Sequence, residues 1–197
     1  MKKTVVSFWK EKWENDAYGG EYSQPKLASF IAGLLDLSRK KKLLDVGCGA
    51  GSLLKKLPAG EKVGLDYSRV KIREARKNVP EGQFFLGEAA DLPFASNSFD
   101  AVLTHSTFLH YDRDYALKAL AELERVCKKG GRVLVGDIPE IRKHPLGTAG
   151  YHLRTVVFLM LKKGHYVCYD RSFFERRGYS TFSSPLNDRF YALKTKK

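Results

Sequence analysis

Three glycines in five residues, Gly47-Cys48-Gly49-Ala50-Gly51, stand directly behind the apolar run Lys42–Val46. Glycines placed just past a strand and ahead of a helix let backbone approach a ligand closely, at the carboxyl edge where open α/β sheets bind. The turn reads GxGxG, with Ser52 where a dinucleotide fingerprint places its third glycine. Asp45 stands two positions before the first glycine. An anion-binding turn has no use for a carboxylate there, whereas a cationic ligand does. A second apolar run ends in Gly64-Leu65-Asp66, and a carboxylate at that place can accept both hydroxyls of a ribose, with Tyr67 beside it to cover a base. Taken alone, Asp66 also fits the N-cap of a following helix.

Short apolar runs recur at Lys62–Asp66, Gln83–Leu86, Ala101–Thr104 and Arg132–Asp137, as expected for strands buried on both faces of a parallel sheet. Helical stripes lie between them. Leu27, Phe30, Ile31 and Leu34 follow Ser23 as a cap and Pro25 in the first turn. Ala116, Leu120, Leu123 and Cys127 form a second stripe, started near Asp112 or Asp114 and stopped by Gly130-Gly131. Strand and helix in alternation predict an α/β, doubly wound sheet. After Asp137 the rhythm changes. Leu153, Val156, Val157, Met160 and Leu161 have helical spacing, and Asp170 to Arg177 reads as a short capped helix ending at Gly178. Tyr179–Ser183 and Arg189–Lys194 flank Ser184-Pro185-Leu186-Asn187, the pattern of an antiparallel hairpin at the sheet edge, so the sheet is expected to be mixed.

The 197 residues suit one domain, with 1–22 as an N-terminal cap segment and 138–170 as an insertion. Cys48, Cys127 and Cys168 are far apart and form no CxxC pair, which suggests neither a disulfide framework nor a metal site. The longest purely apolar run, Val156 to Leu161, is far short of a bilayer span, and Lys10, Glu11 and Lys12 interrupt any leader-like start. A cytoplasmic protein is the expectation. Net charge is +13, and residues 142–197 carry 12 basic against 3 acidic side chains. Such asymmetry points to an anionic partner, with a solvated basic face as the plainer reading.

Leu43-Leu44-Asp45-Val46-Gly47-Cys48-Gly49-Ala50-Gly51, then Gly64-Leu65-Asp66-Tyr67-Ser68, then Gly87-Glu88-Ala89-Ala90-Asp91-Leu92-Pro93-Phe94 resemble the class I S-adenosylmethionine-dependent methyltransferases. The resemblance is to the small-molecule branch typified by ubiquinone/menaquinone-biosynthesis methyltransferases. Phe99-Asp100-Ala101-Val102 through Leu109-His110 is similar to that branch's fourth motif, and Glu122-Leu123-Glu124-Arg125-Val126 with Gly130-Gly131 to its next. The likeness covers roughly residues 42–137. Glu88 departs from the family's usual aspartate, and Lys129 from the common proline before the two glycines.

The resemblance implies a seven-stranded Rossmann-like sheet and S-adenosyl-L-methionine as cofactor, with S-adenosyl-L-homocysteine as product. It implies that Gly47, Cys48, Gly49 and Ala50 approach the methionine portion and ribose, and that Asp45 serves the methionine amino group. Asp66 takes the ribose hydroxyls, Tyr67 packs on the adenine, Glu88 and Ala89 read its edge, and His105 lies at the methionine end. The acceptor is expected to be a small or lipid-linked molecule, anionic in part. RNA methylation or a non-catalytic binding module are the alternatives. DNA is not expected, since Thr104-His105-Ser106-Thr107 replaces the Asn-Pro-Pro-aromatic run.

A general base is needed only if the acceptor must lose a proton. His105, His110, Asp112 and Asp137 are candidates, and His110 is chosen because histidine titrates near neutral pH. Arg69, Arg73, Arg76 and Lys77 share a stripe able to grip phosphates or to face water. Trp9, Trp13 and Tyr18, with Tyr151, Phe158, Met160, Arg142, Lys143, His144 and Arg154, are expected to roof the acceptor site.

Overall fold

The computed structural model describes residues 25–139, 167–184 and 189–197. The N-terminal cap segment with Ser23, most of the 138–170 insertion, and the 185–188 turn lie outside the described residues. So do Trp9, Trp13, Tyr18, Arg142, Lys143, His144, Tyr151, Arg154, Phe158 and Met160.

The described chain runs α1 (Pro25–Leu34), β1 (Lys42–Val46), α2 (Ser52–Lys56), β2 (Glu61–Asp66), α3 (Arg69–Asn78), β3 (Gln83–Leu86) and β4 (Phe99–His105). A 3-10 turn (Phe108–His110), α4 (Arg113–Val126), β5 (Cys127–Pro139), α5 (Arg171–Glu175), β6 (Ser180–Ser183) and β7 (Arg189–Thr195) follow. The seven strands form one sheet in the order β3-β2-β1-β4-β5-β7-β6. The first five pair in parallel, while β7 is antiparallel to both β5 and β6. The doubly wound, mixed sheet expected from the sequence is therefore present.

Burial of both sheet faces explains the near-continuous apolar strands. Leu44 and Val46 point to one face, where they join Ala116, Leu120, Leu123 and Val126 of α4. Leu43 points to the other face, with Leu27 and Ile31 of α1, Leu53 and Leu54 of α2, and Ile72 and Ala75 of α3. Each such leucine contributes about 1.5–3 kcal/mol of burial. Asp112 caps α4, its Oδ1 accepting from Tyr115 N–H at 2.9 Å. Asp170 caps α5 in the same way, accepting from Phe173 N–H.

One helix boundary differs from expectation. α4 stops at Val126, ahead of Gly130-Gly131, and Cys127 already pairs with Phe99 in the sheet. The C-terminus of α4 is closed by a side chain: Lys196 Nζ donates to Arg125 O, Cys127 O and Asn97 Oδ1. The glycines serve β5 itself, since a Cβ on Gly131 would lie 2.7 Å from Cys127 Sγ and 2.8 Å from Asp100 O. Arg69, Arg73, Arg76 and Lys77 are exposed, and Arg76 also ties α3 to β3 through Phe84 O.

β1 lies between β2 and β4, so the connections leave it in opposite directions and open a crevice at the carboxyl ends of β1 and β4. The loop after β3 borders that crevice and is clamped from α4. Glu122 accepts Leu92 N–H, while Arg125 donates to Phe94 O at 2.8 Å, to Leu92 O at 3.0 Å and to both Glu122 oxygens. Arg125→Ala is expected to lower stability by about 1–2 kcal/mol, because carbonyls lose donors at a half-exposed site. Urea unfolding checks this, with the slope unchanged and the midpoint lowered.

Candidate active site

The turn after β1 keeps its shape through its own amides. Gly47 and Cys48 N–H both donate to Leu65 O, at 2.7 and 3.1 Å, and Gly49 N–H donates to Asp66 Oδ2 at 2.9 Å. Gly47, Gly49 and Gly51 have φ of 77°, 52° and 77°, a region that favours glycine. A Cβ on Gly47 would strike Thr107 Oγ1 at 2.6 Å, whereas one on Gly49 would meet nothing within 4 Å. The turn thus faces open space at Gly49, and its first three amide protons are directed into the protein. It presents close backbone and no anion nest.

Asp66 is not the N-cap of α3. That part is played by Ser68, which accepts from Lys71 N–H. The Asp66 carboxylate instead bridges two turns, Oδ2 to Gly49 N–H and Oδ1 to Ser68 N–H, both at 2.9 Å. Burial raises its pKa, against the lowering by those amide bonds and by Lys71. Asp45 is 3% exposed, and burial together with the nearby Asp66 raises its pKa to about 7. Two buried carboxyls on neighbouring strands thus stand behind the glycine turn, and the surface there grows more negative as Asp45 ionises near pH 7.

Glu88, half-buried, accepts from Tyr115 Oη at 2.8 Å, and Ala89 is buried beside it. Tyr111 was not singled out in the sequence. Its ring lies tilted against that of Tyr115, with centroids 4.7 Å apart, and its buried hydroxyl lies within electrostatic reach of Asp66, Tyr67 and Glu88. A tyrosine four residues ahead of another on a capped helix start was the available signal. Asp66, half-buried Tyr67, Glu88, Tyr111 and Tyr115 therefore converge.

His105 ends β4. Its carbonyl accepts from Thr107 Oγ1, and its ring reaches Tyr191 Oη and Ser106 Oγ. Burial lowers its pKa to about 4, with Asp137 raising and Arg189 lowering it in lesser degree. His110 closes the 3-10 turn, half-buried, its N–H donating to Thr107 O. Asp112 is occupied as a helix cap. Among the described residues no group of three His, Cys, Asp or Glu side chains is placed to hold a metal, and no helix is long and apolar enough to cross a membrane.

Comparison with known proteins places this geometry. The methyltransferase domain family matches residues 44–135. The demethylmenaquinone methyltransferase of Staphylococcus carnosus is 34% identical over 169 residues, which cover 81% of this chain and 68% of that protein. The chain belongs to the class I S-adenosylmethionine-dependent methyltransferase family. The methyltransferase GfsG of Streptomyces halstedii is 38% identical over 115 residues, covering 53% of this chain and 40% of GfsG. The chain spans about half, or less, of the length of several curated relatives. Among solved structures, geranyl diphosphate C-methyltransferase from Streptomyces coelicolor A3(2) superposes with a TM-score of 0.70. Its identity is 11%, and 99% of each chain is covered, a likeness of fold.

Membership in this family implies S-adenosyl-L-methionine as cofactor, and the residues present fit it. Open space at Gly49, acceptor lone pairs at Asp66 and the negative patch at Asp45 suit a ligand that carries hydroxyls and positive charge.

The raised pKa of Asp45 has a consequence for stability. The folded chain holds a proton that the unfolded chain releases near pH 4, so stability falls as pH rises from about 4 to about 7 and then levels off. Asp45→Asn removes that fall. The variant is expected to match the parent at pH 4.5 and to exceed it by ~1–3 kcal/mol at pH 8, measured by urea unfolding.

Proposed function

We propose that this chain binds S-adenosyl-L-methionine over the Gly47–Gly51 turn and transfers its methyl group to a small or lipid-linked acceptor. The carrying observation is the pair of buried carboxyls, Asp45 and Asp66, behind a glycine turn whose leading amides are already bonded. Such a site repels a pyrophosphate and attracts a cationic nucleoside. When bound, the cofactor supplies a sulfonium methyl group with its leaving group already installed.

In this reading Asp66 accepts the ribose hydroxyls with the lone pairs that Gly49 and Ser68 leave over. Asp45 answers the charge of the methionine amino group. Gly47, Cys48, Gly49 and Ala50 form the floor, Tyr67 packs against the adenine, and Glu88 with Ala89 reads its edge. Glu88 shares its carboxylate between that edge and Tyr115 Oη. His105 acts at the methionine end through its carbonyl, which holds Thr107 against Gly47.

In this reading the acceptor lies at the same sheet edge. β5 ends there at Pro139, and the described chain resumes at Val167, whose N–H donates to Leu109 O beside His110. Both described ends of the 138–170 insertion thus border the site, which supports its part in holding the acceptor. Its Arg142, Lys143, His144 and Arg154 favour an acceptor with an anionic group. The name of the S. carnosus relative supports a small or lipid-soluble acceptor.

Labelled S-adenosyl-L-methionine incubated with the protein and fractionated cell extract is expected to label a small organic or lipid product. Asp66→Ala is expected to reduce that labelling at least ~100-fold, since a buried multiply bonded carboxylate is lost. Label found only in RNA would contradict the acceptor class. Affinity for S-adenosyl-L-homocysteine is expected to rise up to ~10-fold per pH unit below about 7 and to level off above it, as Asp45 ionises. Calorimetry at pH 5.5, 6.5 and 8 reads this slope, which Asp45→Asn should abolish.

A further inference from the structure

Beside the proposed cofactor site, at the carboxyl ends of β4 and β5, lies a chain of polar side chains to which the cofactor reading assigns no part. His105 and Gly136 are the last registered pair of the two strands, and Ser106 N–H still donates to Gly136 O. The next residue on each strand, Ser106 and Asp137, turns left-handed, with φ of 55° and 59°. Non-glycine residues rarely adopt this region. The cause at Asp137 is visible in the sheet. β5 pairs Val135 with Ala192 and Ile138 with Phe190, so the register with β7 shifts across Gly136-Asp137. A bulge of this kind re-aims a side chain, and such bulges are frequent beside active sites.

The re-aimed carboxylate meets the turned serine. Ser106 Oγ donates to Asp137 Oδ2 at 2.5 Å and lies 3.2 Å from His105 Nδ1, while His105 Nε2 lies 3.1 Å from Tyr191 Oη. Because the serine proton goes to Asp137, Nδ1–H is the donor to Ser106 Oγ, and Nε2 accepts from Tyr191. These three hydrogen bonds thus run one way, from Tyr191 through His105 and Ser106 to Asp137. Burial keeps the His105 ring neutral, in agreement with this tautomer. Gly136 admits the ring, for a Cβ there would lie 2.9 Å from His105 Cδ2 and 2.7 Å from Tyr191 Cε1. Asp137 is 7% exposed, with Arg189 Nε 3.9 Å from its Oδ1. The cluster is joined to the cofactor turn through Thr107, which bonds His105 O and abuts Gly47.

We infer that Asp137, re-aimed by the β5 bulge and oriented by Ser106, is the group that takes the proton from the acceptor, in the form tested below a hydroxyl compound. The inference rests on the methyltransferase reading above and chooses Asp137 over His110. The acceptor oxygen forms its bond to the methyl carbon as the carbon–sulfur bond breaks, and the sulfur keeps that electron pair as a neutral thioether. The hydroxyl proton passes to the Asp137 carboxylate and then to solvent. Ser106 and His105 are positioning residues, since they act through Asp137.

The test uses the full chain, labelled S-adenosyl-L-methionine, and two probes, catechol and the more acidic 4-nitrocatechol. An acceptor that is already ionised does not need the base. Asp137→Asn is expected to bind S-adenosyl-L-homocysteine within 3-fold of the parent (roughly, as for a residue outside the cofactor contacts) and to lose ~100-fold or more in turnover of catechol. With 4-nitrocatechol the loss is expected to shrink below ~10-fold. Ser106→Ala should show the same dependence on acidity in weaker form. Equal losses with both probes, no loss with either, or an acidity-dependent loss in His110→Asn and not in Asp137→Asn would each overturn the assignment. A parent that binds S-adenosyl-L-homocysteine and methylates neither probe also counts against it. A parent that fails to bind S-adenosyl-L-homocysteine removes the underlying methyltransferase reading as well.

Discussion

The carboxylate of Asp66 holds the site together. It ends β2, yet one of its oxygens accepts the amide of Gly49 in the turn after β1, and the other accepts Ser68 N–H at the start of α3. Burying a carboxylate is costly, and two amide hydrogen bonds offset part of that cost. In exchange the geometry of two loops is fixed by one group. The glycine turn is then preformed, its amides point inward, and the surface left to a ligand is negative. Asp45 on the neighbouring strand is buried beside it, and that burial, together with the charge of Asp66, keeps its proton to about pH 7.

The sheet supplies the rest. Because β1 is flanked by β2 on one side and β4 on the other, loops diverge at its carboxyl end and leave a crevice. Left-handed backbone gathers there: Gly47, Gly49 and Gly51 after β1, Ser106 after β4 and Asp137 near the end of β5. Strain of this kind persists where surrounding structure overrides it, and both faces of this sheet are packed with apolar side chains. Rigid strands thus carry strained tips, which suits a reaction that depends on holding two partners in line.

The inner strands were legible in the sequence because burial on both faces writes an uninterrupted apolar run, as in Lys42–Val46. Gln83–Leu86 was found with its expected bounds too, but as the edge strand it buries only Phe84 and leaves Phe85 and Leu86 exposed. Asp45, the glycine turn and Asp66 were legible because a strand–turn–helix unit places them by local spacing. The end of α4 was not. Cys127 fits the helical stripe of Ala116, Leu120 and Leu123, and only its pairing with Phe99 and the distant ammonium of Lys196 draw it into β5. The bond of Tyr115 to Glu88, and that of Ser106 to Asp137, joins residues 27 and 31 positions apart. No local periodicity records such contacts. The bulge in β5 is hidden for the same reason, since it exists only relative to β7.

Amide chemical shifts followed during titration with S-adenosyl-L-homocysteine test the central claim most directly, because they report where the ligand sits as well as whether it binds. The account predicts saturable shifts at Gly47–Gly51, at Asp66 and Tyr67, and at Glu88 and Ala89, with the β6–β7 edge unmoved. Absence of saturable shifts, or shifts centred away from the carboxyl ends of β1 and β2, would contradict it.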